Sequence, residues 1–329
     1  MQVDIIPKVS VIIPIFGVEQ YIERCAISLF EQTLDQIEYI FVNDCTQDKS
    51  MDILHRTISK YPHRKDSIII IQHTTNKGLA IARQSGIKIA KGEYIAHCDS
   101  DDWVEKNAYE NMYLKAQGLG SDIVICDYVL TDGLILKKFQ GCENTTRTRL
   151  LHNILLGHTS WAVWNKIVKR DIYQNNTLIF PEMAMGEDML LTIQLIWYSK
   201  TIEYLPQPFY NYYINNNSTT LRSTANSAIN RYTQQLDNIK KLSSFFADVK
   251  DYEYTKLLMS LSCATGAMLL PYLSYKHVWL LWNNHYKDYT ILDIISSSHM
   301  TFKQKVPTIL SKLKLYIVIK LISYLYHRT

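Results

Sequence analysis

The stretch YIAHCDSDDW, Tyr94 to Trp103, runs from an apolar strand into three carboxylates within four positions, Asp99, Asp101 and Asp102. Carboxylates this close are unfavourable unless a cation or a proton lies between them. Two other acidic positions stand at comparable places. Asp44 closes the run IEYIFVND, and Glu187 and Asp188 follow Gly186 at the start of an apolar helical segment. Neither a P-loop nor the G-x-G-x-x-G dinucleotide fingerprint is present. A nucleotide bound here would have its phosphates handled through a metal on the aspartates. The ten histidines show no metal-ligand spacing, and no motif supports Ser/His/Asp or Cys/His catalysis.

The elements that must hold these groups alternate. VSVIIPIF, Val9 to Phe16, is a continuous β-branched run of the kind buried on both faces of a sheet. EQYIERCAISLFEQT sets Tyr21, Ile22, Cys25, Leu29 and Phe30 at helical spacing. Ile37 to Asp44 is a second strand, and Asp48 caps a helix through Ile53, Leu54 and Ile58. SIIIIQH is a third strand, Gly78 to Ala90 a third helix, EYIAHCDSD a fourth strand and Asp122 to Leu130 a fifth. The alternation predicts an α/β fold, a Rossmann-like mostly parallel sheet flanked by helices. In such a sheet the carboxyl ends of the strands form the ligand crevice. Pro14 and Phe16, Asp44, and the three aspartates all stand at strand ends, so they are expected together in space.

From about Gly141 the rhythm changes. TRLLHNILLGHTSWAVWNKIVKRDIY reads as helix, loop, helix, with Trp161 and Trp164 near its middle. PFYNYYINNNSTT reads as a loop or short strand, and Asn226 to Tyr272 as helical. The expected division is a transferase domain over 1–220 and a mainly helical C-terminal region over 221–329. With 329 residues, 47% hydrophobic and 20% charged, the composition is that of a folded protein. A net charge of +4, without basic clusters interleaved with aromatics, argues against a nucleic-acid partner. Six cysteines without a C-x-x-C pair fit reduced thiols in the cytoplasm. The N-terminus lacks the pattern of a signal peptide, and no apolar run reaches 18 residues. Lysines interleave with LKLYIVIKLISYLY near the C-terminus, so residues 303–329 are expected to touch the inner face of the cytoplasmic membrane peripherally. A helix packed on the body is the alternative reading of that segment.

The ordered set VSVIIP, YIERCAISLFEQT, VNDCTQDKS, NKGLAIARQSGIKIAKGEYIAHCDSDDW and GED resembles the family 2 inverting glycosyltransferases, over roughly residues 8 to 220. The resemblance implies the A-type nucleotide-sugar transferase fold with a helical C-terminal extension. It implies that Asp44 reads the nucleotide base, that Pro14 and Phe16 line the base pocket, and that Arg83 lies near base and phosphates. Phe16 and Gly17 stand where the family more often has Tyr-Asn. Asp99 and Asp101 match the D-x-D element, with Asp102 adjoining. Carboxylate oxygens suit Mn2+ or Mg2+, which also binds a diphosphate. Which of Asp101 and Asp102 ligates the metal stays open. Asp188 matches the catalytic base, and Glu187, Trp164, Asn165 and Lys166 fall on the acceptor side. The implied activity is inverting transfer from a nucleotide-sugar donor, with UDP-sugar the expected class, to a glycan or lipid-linked acceptor in the synthesis of surface polysaccharide, capsule or lipopolysaccharide.

Each residue taken singly also has a plain structural reading. Asp44 can cap a turn, Asp99 to Asp102 can be a solvated loop, and Asp188 can cap a helix. Trp164 with Trp161 can be core, and Arg83 can be a surface ion pair. A nucleotidyltransferase, or an inactive nucleotide-sugar-binding subunit, are the alternative functions. The first normally needs a basic glycine-rich loop that IPIFGVEQY does not offer, and the second predicts a missing aspartate or base.

Overall fold

The computed structural model describes residues 6–133, 136–142, 145–181, 186–214, 224–250 and 252–313. Two compact units divide the chain: Met1–Leu151 with Thr159–Asn216, and His152–His158 with Asn217–Thr329. The boundary expected at 220/221 lies outside the described residues, as do Lys314, Lys320 and Arg328 of the tail.

Among the described residues the first unit holds one nine-stranded sheet. Its strands are β1 (Val9–Ile15), β2 (Ile37–Asn43), β3 (Ile68–Gln72), β4 (Tyr94–His97), β5 (Trp103–Val104), β6 (Ile123–Thr131), β7 (Leu136–Phe139), β8 (Lys166–Lys169) and β9 (Ile202–Tyr213). They lie in the order β3-β2-β1-β4-β8-β6-β9-β5, with β7 beside β6. The first half is the expected βαβ part. β3, β2, β1 and β4 run parallel, connected through α1 (Ile22–Phe30), α2 (Ser50–Ser59) and α3 (Leu79–Ile89). Every position of β1 and β2 is buried, which is why those runs are apolar without alternation. Lys49, not Asp48, is the N-cap of α2; Asp48, one position earlier, accepts from the Ser50 amide at 3.1 Å.

The second half departs from the expectation. β4 has β8 as its other neighbour, antiparallel, inside the segment read as helix, loop, helix. KIVK is too short to show a period, so its pairing partners decide its state. β9 is a twelve-residue strand where a loop or short strand was expected. Pro206 and Pro208 lie within this strand although proline cannot donate to a ladder. The sheet tolerates them because the β6–β9 register slips around Asp127, opposite Pro208. Beyond this bulge β9 stays paired with β6 through Tyr213, while Tyr210 and Asn211 pair on its other edge with β5, directly after the aspartates.

Helix α3 packs close on β1. A Cβ on Gly86 would stand 2.5 Å from Ile12 Cγ2, so only glycine allows this approach. Arg83, three residues earlier on α3, is drawn inside to 1% exposure. The unit also carries α4 (Ala108–Leu119), α6 (Arg170–Gln174) and α7 (Glu187–Tyr198); α5 (Arg147–Leu155) spans the division between units. The second unit is helical, as its pattern indicated: α8 (Ala225–Asp248), α9 (Tyr252–Thr265), a 3-10 segment (Gly266–Tyr272), α10 (Lys276–Tyr286), α11 (Ile291–Ser296) and α12 (Phe302–Lys312). Its core gathers on Trp282, Leu269, Val278 and Ile294. Among the described residues no helix is long and apolar enough to cross a membrane. All six cysteines are free.

Candidate active site

The Asp44 amide donates to the Ile15 carbonyl at 3.0 Å, and the Cys98 amide to the Ile12 carbonyl at 3.0 Å. The chains after β2 and β4 therefore stay on either side of β1 as they leave the sheet, and both acidic segments sit at its carboxyl end. The Asp44 carboxylate accepts from His73 Nδ1 at 2.7 Å, the Lys77 amide at 2.8 Å and the Gly78 amide at 2.7 Å. His73 Nε2 in turn lies 2.9 Å from Ser85 Oγ on α3. Asp44 is 3% exposed and pins the loop that enters α3. Pro14 is buried in β1 opposite Val42, whereas Phe16 is 54% exposed. Of the three residues expected around a base, only Phe16 offers open surface.

The aspartate turn is built from both ends of the unit. Asp102 points inward, 1% exposed, and accepts from Tyr210 Oη at 2.7 Å and the Tyr213 amide at 2.7 Å. Burial, reinforced by Asp101 and Asp99, pushes its carboxyl well above the ordinary range. Tyr210 Oη also accepts from the Asp99 amide at 3.0 Å. Arg24 donates to the Asp101 carbonyl at 2.7 Å, its guanidinium 3.9 Å from the Trp103 ring centre and 4.6 Å from that of Tyr213. The end of β9 and helix α1 thus fix the turn, leaving Asp99 and Asp101 as its partly exposed carboxylates. Tyr210, Tyr213, Arg24 and His73 are the residues that sequence reasoning passed over. The aromatic run PFYNYY was the one signal that pointed to any of them.

Arg83 joins this turn to α7. It donates from Nε to Glu187 Oε1 and from Nη2 to Asp99 Oδ1, both at 2.7 Å, and Nη2 lies 3.7 Å from Asp188 Oδ1. Gly186, at φ +74°, makes the left-handed turn that starts α7 and presents the two acidic residues. Burial opposes the charge on Arg83, but Glu187, Asp99 and Asp188 outweigh it and hold the guanidinium firmly protonated. One cation faces three carboxylates. Burial, only partly offset by Arg83, raises Asp99 and raises Glu187 well above its usual value. Arg83 Nη1 and Asp188 Oδ1 are buried without a hydrogen-bond partner among the described residues. Arg83 is therefore no surface ion pair, and Glu187 faces the guanidinium rather than open solvent.

The other positions expected on the acceptor side are buried. Trp164 is 8% exposed, with its ring stacked on Tyr210 at 4.3 Å and edge-on to Tyr128 at 4.9 Å. Asn165, fully buried, donates to the Cys126 carbonyl at 3.2 Å, where β6 and β8 meet. Lys166, 3% exposed, donates from Nζ to Asn165 Oδ1 at 2.7 Å; burial lowers its pKa to about 8 although Asp188 opposes the shift. Trp164 and Asn165 thus pack among β6, β8 and β9, and of the three only Lys166 is within electrostatic reach of Asp188.

The family model for glycosyl transferase family 2 matches residues 10–191. The chain belongs to this family. Bacillus subtilis (strain 168) EpsH, named as a glycosyltransferase, is 31% identical over 227 residues, 66% of this chain and 63% of that protein. The poly(ribitol-phosphate) beta-glucosyltransferase of Bacillus spizizenii is 30% identical over 210 residues, 63% of this chain and 32% of its own length. The chain thus spans less than two thirds of these relatives. Among solved structures, S. aureus TarS 1-349 in complex with UDP-GlcNAc superposes with a TM-score of 0.73 at 18% identity, covering 98% of this chain and 92% of that one. The mannosyltransferase PcManGT from Pyrobaculum calidifontis, in complex with GDP-Man and Mn2+, gives 0.55 at 14% identity over 99% and 89%. These structures establish the A-type transferase fold for this family 2 chain.

A divalent cation fits the donor set. Among the described residues no three acidic, imidazole or thiolate groups gather into a closed metal site. Asp99 and Asp101 offer one or two hard oxygen donors beside an excess of negative charge. Mg2+ and Mn2+ sites commonly have this form, because substrate phosphate and water complete the shell.

Proposed function

We propose that this family 2 protein is an inverting glycosyltransferase that moves a sugar from a UDP-sugar to a hydroxyl of a glycan or lipid-linked acceptor in surface-polysaccharide synthesis. One observation carries the reading. Arg83 brings Asp99, from the end of β4, and Glu187 and Asp188, from the start of α7, into one cluster at the carboxyl edge of the sheet. That arrangement supports reading Asp99 as part of a diphosphate-binding edge and Asp188 as the base beside it. The UDP-GlcNAc complex of TarS and the names of the relatives support donor class and pathway type.

In this reading Asp101, with Asp99, holds Mn2+ or Mg2+, which would supply positive charge to the leaving diphosphate. Asp102 keeps the turn in shape through Tyr210 and Tyr213. Arg83 orients Asp99 and supplies a second positive charge near the donor. Asp188 accepts the proton of the acceptor hydroxyl as it attacks in line, and one such attack inverts the anomeric centre. Glu187 fixes Arg83 and so positions Asp188. Asp44 with His73 shapes the loop beside Phe16, where the base would lie. The donor domain is proposed to cover 1–220, with residues 303–329 in peripheral contact with the membrane. The test is a panel of UDP- and GDP-sugars with Mn2+ or Mg2+, read by released nucleoside diphosphate. Release from one donor class supports the reading. Formation of nucleoside triphosphate and sugar 1-phosphate from the same donors when pyrophosphate is added would indicate nucleotidyl transfer instead. Donor binding without any release would indicate an inactive binding subunit.

A further inference from the structure

We propose that the helical unit docks on an anionic lipid surface through the face formed by α11 and the first turn of α12. This extends, and rests on, the membrane contact proposed for residues 303–329, and it adds α11 to the contact. On α11, Ile294 is fully buried, while Leu292 and Ile295 are 75% and 52% exposed. These two are three apart and share one helix face. Phe302, the first residue of α12, is 81% exposed. Lys305 Nζ donates to the Ile295 carbonyl at 2.7 Å, which brings the first turn of α12 against the end of α11. Three large apolar side chains therefore stand in water around one helix junction, whereas the exposed Val249, Met259, Tyr275 and Leu280 of the same unit lie on other segments.

Charge selects the occupant. Lys303 is exposed beside Phe302, and Lys305 closes the junction. Asp293, the acidic residue of α11, has its carboxylate on the Thr290 amide and hydroxyl at 2.7 Å each. After Asp293 the sequence carries Lys303, Lys305, Lys312, Lys314, Lys320 and Arg328 and no Asp or Glu. A second copy seated on this face would set the same lysines against each other. The chain beyond Leu313 is largely apolar but adds Lys314, Lys320 and Arg328 without an acidic residue, so covering the face with it would bring these cations against Lys303 and Lys305. An anionic headgroup layer instead pairs with the lysines while the apolar rim above it takes Leu292, Ile295 and Phe302. Apolar insertion plus basic residues is the two-signal pattern of stable peripheral attachment.

The test is co-sedimentation of the full chain with phosphatidylcholine vesicles, with and without phosphatidylglycerol, at low and high salt. Binding is expected only to the anionic vesicles and to weaken with salt. Lys303→Gln with Lys305→Gln should weaken it about twenty-five-fold, roughly five-fold per charge. Leu292→Ser with Phe302→Ser should abolish it; both side chains are exposed, and an unchanged circular-dichroism spectrum and melting curve will show the fold intact. Retained binding in that variant, or binding lost only on deletion of 314–329, would overturn the proposal. So would a dimer in light scattering that the variant dissolves. Donor hydrolysis without lipid, measured on the same samples, reports on the transfer chemistry separately.

Discussion

Replacing Arg83 by Met should cost about 3–5 kcal/mol of stability near neutral pH, the usual result of removing one partner from a buried ion pair. The structure places it in that range for two reasons. Both 2.7 Å bonds are charge-assisted, and Glu187 is left with its side chain 4% exposed and no cation. Asp99 and Asp188, each about a quarter exposed, can recover hydration and keep the loss from growing further. The pH dependence follows from the raised carboxyls. Because burial lifts Glu187 and Asp99, the folded protein holds protons that the unfolded chain releases near pH 4. Stability from these groups is full below that pH and falls as pH rises through their folded values. Removing Arg83 raises them further, so the difference between variant and parent should be small in acid and grow as pH rises above the ordinary carboxyl range. Urea unfolding as a function of pH measures it. The double variant with Glu187→Met should recover about 2 kcal/mol, since a paired apolar replacement leaves no stranded charge. A loss under 1 kcal/mol, one independent of pH, or no recovery in the double variant would refute the electrostatic account.

Three further outcomes bear on the site. Asp188→Asn should leave donor binding by calorimetry unchanged while transfer falls by a factor on the order of 10² to 10⁴; Glu187→Gln should instead lower stability by about 1–3 kcal/mol through its bond to Arg83, with the smaller effect on transfer. Asp101→Asn should weaken Mn2+-dependent UDP binding by on the order of tenfold or more, whereas Asp102→Asn, at a position anchored to Tyr210, should shift the melting curve and leave Mn2+ affinity nearly unchanged. The reverse ranking in Mn2+ titrations would move the ligand role to Asp102. Trp164→Ala should destabilise by about 3–5 kcal/mol in chemical denaturation, as expected for a buried aromatic, and any change in acceptor KM should follow that loss.

The sequence by itself determined the parallel half of the sheet and its chemistry-bearing edge. Its β-branched runs and helical spacings are local, and a strand buried on both faces declares itself in composition. The order of Asp44, Asp99 to Asp102 and Glu187–Asp188 was likewise legible, because each stands at the end or the start of a readable element. Tertiary structure decided which way those carboxylates face. Asp102 turns inward because β9 brings Tyr210 and the Tyr213 amide to it, and β9 reaches there only through a register slip that absorbs two prolines. KIVK became a strand because β4 and β6 both had edges to pair, a fact absent from four residues of sequence. Arg83 is buried because Gly86 lets α3 lie against Ile12, and its partner Glu187 comes from 104 positions away. Long-range pairing and burial set the roles of these charges, since the free energy of a charge depends on what surrounds it in space rather than on its neighbours in the chain.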